Sequence, residues 1–417
     1  MARPIISVII SAKNEADRVE ACFDSLSQQR TKFPFEVLFV DNGSSDGTFS
    51  LATRLAKRQK NFFVFRDRKP GLSSARNFGA RRARGNILLF SDVDCTFAKT
   101  WVQEMAKPLL TPTHYPLAAV SGRTMSEFGE HEHPSLVQRY LDQLSEFWER
   151  DRLSATPAFL PWAPASNLGV KRDTFLELGG FDSHWKNSAA SDMDFCWRLV
   201  LCGFVLGYAP KAEAHHLRRS TLRGMLQQME NYAFYNHSLL STYERVLHLP
   251  TAKSRQVRLL GRGRHALSRI GATRNLRQAS FRGLDVLSLA SWLKGGIQSR
   301  LMRVQANPRM NLTRQGQTPP SLEKQLSPGY AYLHKEGWTY WKDSPAVGED
   351  GDLILFRPRR RERFRLNSTS WKIWEVKAER GQSEDAALAL GQDADDAVVL
   401  HDIDELTLDL HTRRLLP

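Results

Sequence analysis

Four short apolar runs, at residues 5–10, 35–40, 62–65 and 87–90, alternate with helical patterns over 18–29, 50–58 and 73–84. This alternation constrains the fold more than any other feature of the chain. Runs of four to six residues rich in Val, Ile and Phe suit buried strands. The 18–29 segment sets Val19, Cys22, Phe23 and Leu26 on one helical face. Strands and helices in strict alternation predict a parallel, doubly wound, Rossmann-like α/β sheet. Such sheets bind ligands beyond the carboxyl ends of their strands, and the polar runs after residues 10, 40 and 90 fall there.

Those runs carry the candidate chemistry. Ser91-Asp92-Val93-Asp94 follows the fourth strand. Strand alternation turns both carboxylates one way and Val93 the other. Paired carboxylates suit a hard divalent cation that bridges a diphosphate. Asp41-Asn42-Gly43-Ser44 follows the second strand, where Asp41 can accept hydrogen bonds from a base or ribose, although Asn-Gly is also an ordinary turn pair. Further on, Gly179-Gly180-Phe181-Asp182 precedes Ser191-Asp192-Met193-Asp194-Phe195-Cys196-Trp197-Arg198. An aspartate at a helix start, as Asp192 reads here, is either a general base or an N-cap. Asp194 has Arg198 at i+4 as a plain structural partner. His215-His216 can add an imidazole to a metal site or lie on the surface.

Past residue 115 the pattern loosens. Helices are predicted over 136–150 and 192–202 and a short strand over 205–208, while 160–170 reads as an apolar loop. The chain of 417 residues is too long for one ordinary core, so three regions are expected: 1–245, 246–320 and 321–417. The formal charge is +14, and residues 246–314 hold 14 Lys or Arg against one acid, Asp285, so nearly all the excess lies in the middle region. That region reads as a basic helical connector interrupted by glycines, and 308–328 as a linker. Its 286–297 stretch, with Trp292 and Lys294, is equally a candidate for lying on an anionic membrane. Four cysteines with no CxxC pair suggest neither a disulfide framework nor a zinc site. The absence of a signal-peptide pattern or an 18-residue apolar span leads to an expected cytoplasmic location, peripheral to the inner membrane face if the basic region docks there.

Taken in order, Ile-Ser-Val-Ile-Ile-Ser-Ala-Lys-Asn-Glu, Val-Asp-Asn-Gly-Ser-Ser-Asp-Gly-Thr, Gly71-Leu-Ser-Ser-Ala-Arg76-Asn77-Phe-Gly79, Asp-Val-Asp, Gly-Gly-Phe-Asp, Asp-Met-Asp-Phe-Cys-Trp-Arg-Leu and the following His resemble the inverting family 2 glycosyltransferases over about 240 residues. The resemblance implies a GT-A fold and a metal-dependent hexosyltransferase that uses a nucleotide-sugar donor with Mg²⁺ or Mn²⁺. It would place Ala12, Asn14, Glu15, Asp41, Gly43, Arg76, Asn77 and Asp92 at the donor, with Glu15 and Asp41 on the nucleoside. Asp94 with His216, or else His215, would hold the metal, and Asp192 would be the base. Two departures stand out: Asn42 and Ser191 occupy positions where the family often has carboxylates.

The last region is strand-rich over 338–364 and then helical at 371–377 and 403–410. Its Leu366-Asn-Ser-Thr-Ser-Trp371-Lys-Ile-Trp374 core and Leu-Leu ending resemble the PqqD-like family, a small α+β winged-helix domain. That resemblance implies capture of the leader of a ribosomally made peptide as an added strand, with Phe364, Leu366, Trp371 and Trp374 at the contact. A winged helix also raises nucleic-acid binding, but the basic excess lies outside this region. The leading expectation is therefore a glycosyltransferase for a peptide. The alternatives are a membrane-surface enzyme for polysaccharide or lipid-linked sugar, and a non-catalytic binding protein on the same scaffold.

Overall fold

The computed structural model describes residues 3–112, 117–128, 134–146, 162–243 except 184, 186, 187 and 203, and 276–301, together with 339–342, 353–357, 362–366, 387 and 400–407 except 402. The first half of the sheet follows the sequence pattern. Strands β1 (Ile6–Ala12), β2 (Phe35–Asp41), β3 (Phe62–Arg66) and β4 (Ile87–Asp92) are parallel in the order β3-β2-β1-β4. Helices α1 (Ala16–Ser27), α2 (Thr48–Ala56) and α3 (Leu72–Arg82) connect them. In β1, Ile6, Val8, Ile10 and Ala12 enter one core and Ile9 the other, so both faces of the sheet are covered. The face of α1 predicted to be apolar is the face that is buried.

The second half departs from the all-parallel expectation. After β4 come β5 (Cys95–Phe97), α4 (Trp101–Leu110), β6 (Leu117–Glu127), α5 (Leu136–Glu146), β7 (Leu168–Lys171), α6 (Arg172–Glu177), α7 (Ser188–Leu201) and β8 (Val205–Leu217). The eight strands run β3-β2-β1-β4-β7-β6-β8-β5, and β7 is antiparallel to both β4 and β6. The sheet is therefore mixed. Part of the stretch expected to be an apolar loop is a 3-10 turn (Ala165–Asn167) followed by β7. Gly169 disguises this strand. A Cβ there would lie 3.1 Å from both Leu89 and Val120 side-chain carbons, so the central position takes a residue of weak strand propensity. The strand expected at 205–208 is thirteen residues long and carries both histidines.

Helices α8 (Leu222–Tyr243) and α9 (Leu276–Leu301) lie against each other. The predicted interruption at glycines does not occur within α9, which runs unbroken through Gly283, Gly295 and Gly296. Glycine lowers helix propensity by about 1 kcal/mol, but here it permits close approach. A Cβ on Gly295 would run into the Glu230 carbonyl oxygen and lie 3.0 Å from Ala233 Cβ. The Ser238 and Ser299 hydroxyls hydrogen-bond at 2.8 Å one turn further along. Trp292 packs on a cluster with Tyr140, Met225, Met229 and Leu284, and Lys294 pairs with Glu230. Within the 286–297 stretch Trp292 thus packs on the protein's own helices, while Lys294 makes its ion pair at the exposed surface.

Opposite responses are expected along this helix. A Cβ added at Gly283 would meet nothing within 4 Å, so Gly283→Ala should gain about 1 kcal/mol of helix propensity. Gly295→Val should lose about 1–3 kcal/mol through overpacking. Thermal melting checks the pair, and equal shifts would refute the close-packing account.

The described part of the last region is a three-stranded antiparallel sheet, β9 (Thr339–Lys342), β10 (Leu353–Arg357) and β11 (Glu362–Leu366), with β10 central. Phe364 and Leu366 lie on β11, while Trp371 and Trp374 fall outside the described residues, as do the predicted linker and the 371–377 helix. Residues 403–407 are helical, within the helix expected there. Among the described residues no helix is long and apolar enough to cross a membrane.

Candidate active site

The carboxyl ends of β1, β2 and β4 form the site. Ala12 and Asp41 end their strands in register, and the Asn42 amide N–H donates to the Ala12 carbonyl. Asn14 has φ 55°, a left-handed conformation that asparagine tolerates better than most residues. Its side-chain oxygen accepts from the Ser45 N–H at 2.9 Å, and its own N–H donates to Ser44 Oγ. Asp46 accepts from the Ala16 and Thr48 N–H groups, and Thr48 Oγ1 accepts from the Glu15 N–H. The loops after β1 and β2 are therefore laced into one rim, with Gly43 at φ 77° in its turn. Asp46 and Thr48 were not singled out in the sequence, although Asp-Gly-Thr at a helix start was a visible capping signal.

Asp41 is fully buried and accepts from Arg66 Nε at 3.2 Å and from the Ser44 N–H. Asn42 explains its own departure from the family pattern. Its amide donates to the Lys69 carbonyl at 2.6 Å and accepts from the Gly71 N–H at 2.8 Å. An ionised carboxylate, which has no proton to donate, could make only the second bond. Asn77, expected at the donor, instead clasps the glycine turn. It donates to the Phe181 carbonyl at 2.6 Å and accepts from the Phe181 N–H at 2.9 Å. The turn lies over packed Phe90, Phe175, Phe181 and Phe195 rings, and Arg198 donates to the Leu178 and Gly180 carbonyls while pairing with Asp194. Tyr243, at the end of α8, donates to Asp194 Oδ1 at 2.9 Å.

The two carboxylates of Asp92-Val93-Asp94 are not held together by strand alternation, because β4 ends at Asp92 and the chain turns through Val93 and Asp94. They take different partners. Asp92 accepts from Arg76 Nη2 at 2.7 and 3.0 Å and from Ser11 Oγ at 3.1 Å. Asp94 Oδ2 lies 3.5 Å from His216 Nε2. The β5–β8 register sets Cys95 opposite His216 and Thr96 opposite His215. Successive strand residues face opposite sides, so His215 lies on the other face from the Asp94–His216 pair.

Arg76 Nη1 also donates to Asp192 Oδ1 at 3.2 Å. One fully buried guanidinium thus joins the end of β4 to α7. Burial pulls the Arg76 pKa down, but the charges of Asp92 and Asp192 more than offset it, and the net direction is up. Asp192 lies in the second turn of α7, which begins at Ser188, so it does not cap that helix. Its Oδ1 also accepts from Ser191 Oγ at 3.1 Å, and its Oδ2 accepts from the Ala165 N–H at 2.9 Å. Burial raises the Asp192 pKa above the usual carboxylate value, against the lowering effect of Arg76. Ser191, noted in the sequence as a departure from the family pattern, supplies a hydroxyl donor to Asp192, while the Ala165 N–H escaped the sequence reading, since no local pattern brings 165 next to 192.

Asp94, Cys95 and His216 present ligand atoms within 4.8 Å of one another. Burial and nearby Asp94 push the Cys95 thiol well above its ordinary pKa, so it stays protonated and is a poor ligand. A carboxylate oxygen and an imidazole remain, a set compatible with Mn²⁺ or with Mg²⁺ that keeps other oxygen ligands. Glu15 is also drawn in: burial first, then the Asp94 charge, raises its pKa to about 7. This crowding of carboxylates at the strand ends favours a cation.

Residues 7–175 match the model of Glycosyl transferase family 2. The N-terminal region is a family 2 glycosyltransferase domain. Residues 118–303 match a second model, Glycosyl transferase family group 2, which reaches through α9. Glycosyltransferase AglE of Haloferax volcanii is 29% identical over 208 residues, covering 49% of this chain and 64% of that protein. The pre-mycofactocin glycosyltransferase of Mycobacterium tuberculosis is 25% identical over 233 residues, covering 56% of this chain and 46% of that protein. The chain thus spans less than two thirds of either relative. A solved mannosyltransferase of Pyrobaculum calidifontis, in complex with GDP-Man and Mn²⁺, is 19% identical, covers 73% of this chain and 89% of its own, and superposes with a TM-score of 0.48.

Proposed function

We propose that the protein transfers a sugar from a nucleotide-sugar donor to an acceptor with inversion at the anomeric carbon. The observation that carries this reading is the Arg76 bridge, which ties a carboxylate at the donor end of the sheet to the buried carboxylate of Asp192. Glu15, Asp41 and the laced rim hold the nucleoside. Asp94 and His216 hold Mg²⁺ or Mn²⁺. The bound cation supplies neutralisation of the charge that develops on the departing nucleoside diphosphate.

Asp192 takes the proton of the acceptor group at Oδ2, which has one hydrogen bond and a lone pair to spare. The acceptor atom then bonds to the anomeric carbon as the bond from that carbon to the diphosphate oxygen breaks. A base works best when its pKa approaches the operating pH, and the burial of Asp192 moves it in that direction.

The acceptor is read as a ribosomally made peptide recruited by residues 321–417. The PqqD-like resemblance supports this, as does β11 at an edge of its described sheet, where backbone groups can take an added strand. The test is sugar transfer by the full chain from a panel of UDP-, GDP- and TDP-sugars to precursor peptides encoded beside its gene. Peptide-dependent release of nucleoside diphosphate is expected, lost in EDTA and in Asp94→Ala. Turnover only on polysaccharide or lipid-linked sugar at anionic vesicles would replace the peptide reading. No turnover on any acceptor, with donor binding intact, would leave a binding protein on a transferase scaffold.

A further inference from the structure

We infer a second ligand site, for a phosphate-bearing anion, on the opposite edge of the sheet from the candidate active site. An open cavity of about 960 Å³ lies where the strands begin, lined by Arg3, Lys32, Phe33, Phe35, Glu36 and Arg172 among others. Ile6 and Phe35 pair at this end of β1 and β2, and Ala12 and Asp41 at the other. Six residue steps at ~3.3 Å separate the two ends by roughly 20 Å.

The charge of the cavity is one-sided. Its acid, Glu36, is buried and already satisfied by Ser7 Oγ at 2.8 Å, the Arg84 N–H at 2.8 Å and Arg84 Nε at 2.7 Å. That consumes the Arg84 charge as well. Among the described residues, Arg3, Lys32 and Arg172 have no carboxylate partner. Arg172 Nε is buried and has no acceptor. Orphaned buried donors are uncommon in native proteins and call for an explanation, and at a cavity lined by two further unpaired cations a bound acceptor supplies one. Three unpaired cations, one of them half-buried with an unused donor, suit the several acceptor oxygens of a phosphate better than a single carboxylate. The volume suits a metabolite, and the flanking Phe33 and Phe35 rings offer an apolar wall to whatever bears the phosphate. The same chemistry is found in free phosphorylated metabolites and in phospholipid headgroups.

The test uses the full chain and inorganic pyrophosphate in EDTA, which removes metal-assisted binding at Asp94. Calorimetry should show one saturable site. Lys32→Gln and Arg172→Gln should each weaken it by about tenfold or more, the usual scale for a charged hydrogen bond, while Asp94→Ala leaves it unchanged. Lys32 is exposed, so its variant remains informative if Arg172→Gln fails to fold. No saturable binding would overturn the inference, as would binding lost in Asp94→Ala but kept in both glutamine variants. Vesicles containing phosphatidate identify the source. Weakened vesicle binding in the glutamine variants assigns the site to lipid, and weakening with pyrophosphate alone assigns it to a free metabolite.

Discussion

Asp192→Asn should lower kcat by about 10²–10⁴-fold, the range associated with a general base, while donor affinity changes little. The amide keeps the shape of the carboxylate and can still accept from the Ala165 N–H or from Arg76, so the loss would fall on proton removal. The wild-type pH profile sharpens the prediction. Only ionised Asp192 can accept the proton, and its pKa is raised by burial. Activity should therefore rise with pH through an acid limb lying above the ordinary aspartate value of about 4, then level off. Donor binding measured by calorimetry should not follow that limb. If Asp192→Asn retained wild-type kcat, the base assignment would fail. If donor affinity collapsed in parallel, Asp192 would be part of the donor pocket instead.

The parallel half of the sheet was legible because each strand there is a continuous apolar run closed by a polar turn, and because α1 shows its buried face in its spacing. The antiparallel half was not. Gly169 lowers the strand signal of β7 in order to fit between Leu89 and Val120. The order of the strands around β7 depends on contacts between residues far apart in sequence, which no local period encodes. The site divides in the same way. The Asp92, Asp94 and His216 candidates could be named from motifs, but their separation into an Arg76 pair and a histidine pair depended on where β4 ends. The adjacent histidines were indistinguishable in sequence, and the β5–β8 register separates them. Asn42 and Asn77 were visible as polar residues near a ligand edge. Both commit their amides to backbone, a bland use that only the three-dimensional partners reveal.

Arg76→Met should be the most damaging single change to stability. The guanidinium is fully buried and serves two carboxylates at once. Methionine fills similar space but leaves Asp92 and Asp192 without their common cation. Breaking a buried ion pair from one side costs about 3–5 kcal/mol. For a domain of this size that corresponds to a fall in Tm on the order of 10 °C. The surviving carboxylates should respond by taking up protons, because their opposite charge is gone and burial remains. The acid limb of activity should then move to higher pH in whatever folded protein persists. Arg76→Lys retains the charge but loses the planar fork that reaches both partners, so it should fall between wild type and Arg76→Met in both Tm and pH profile. The double variant Arg76→Met/Asp192→Asn removes one of the stranded charges along with the cation. Its destabilisation should be smaller than the sum of the two single effects, by about 0.5–3 kcal/mol, the usual coupling between contacting residues. Strict additivity, or an Arg76→Met protein as stable as wild type, would mean that the bridge does not hold β4 and α7 together. The donor edge and the base would then need another link.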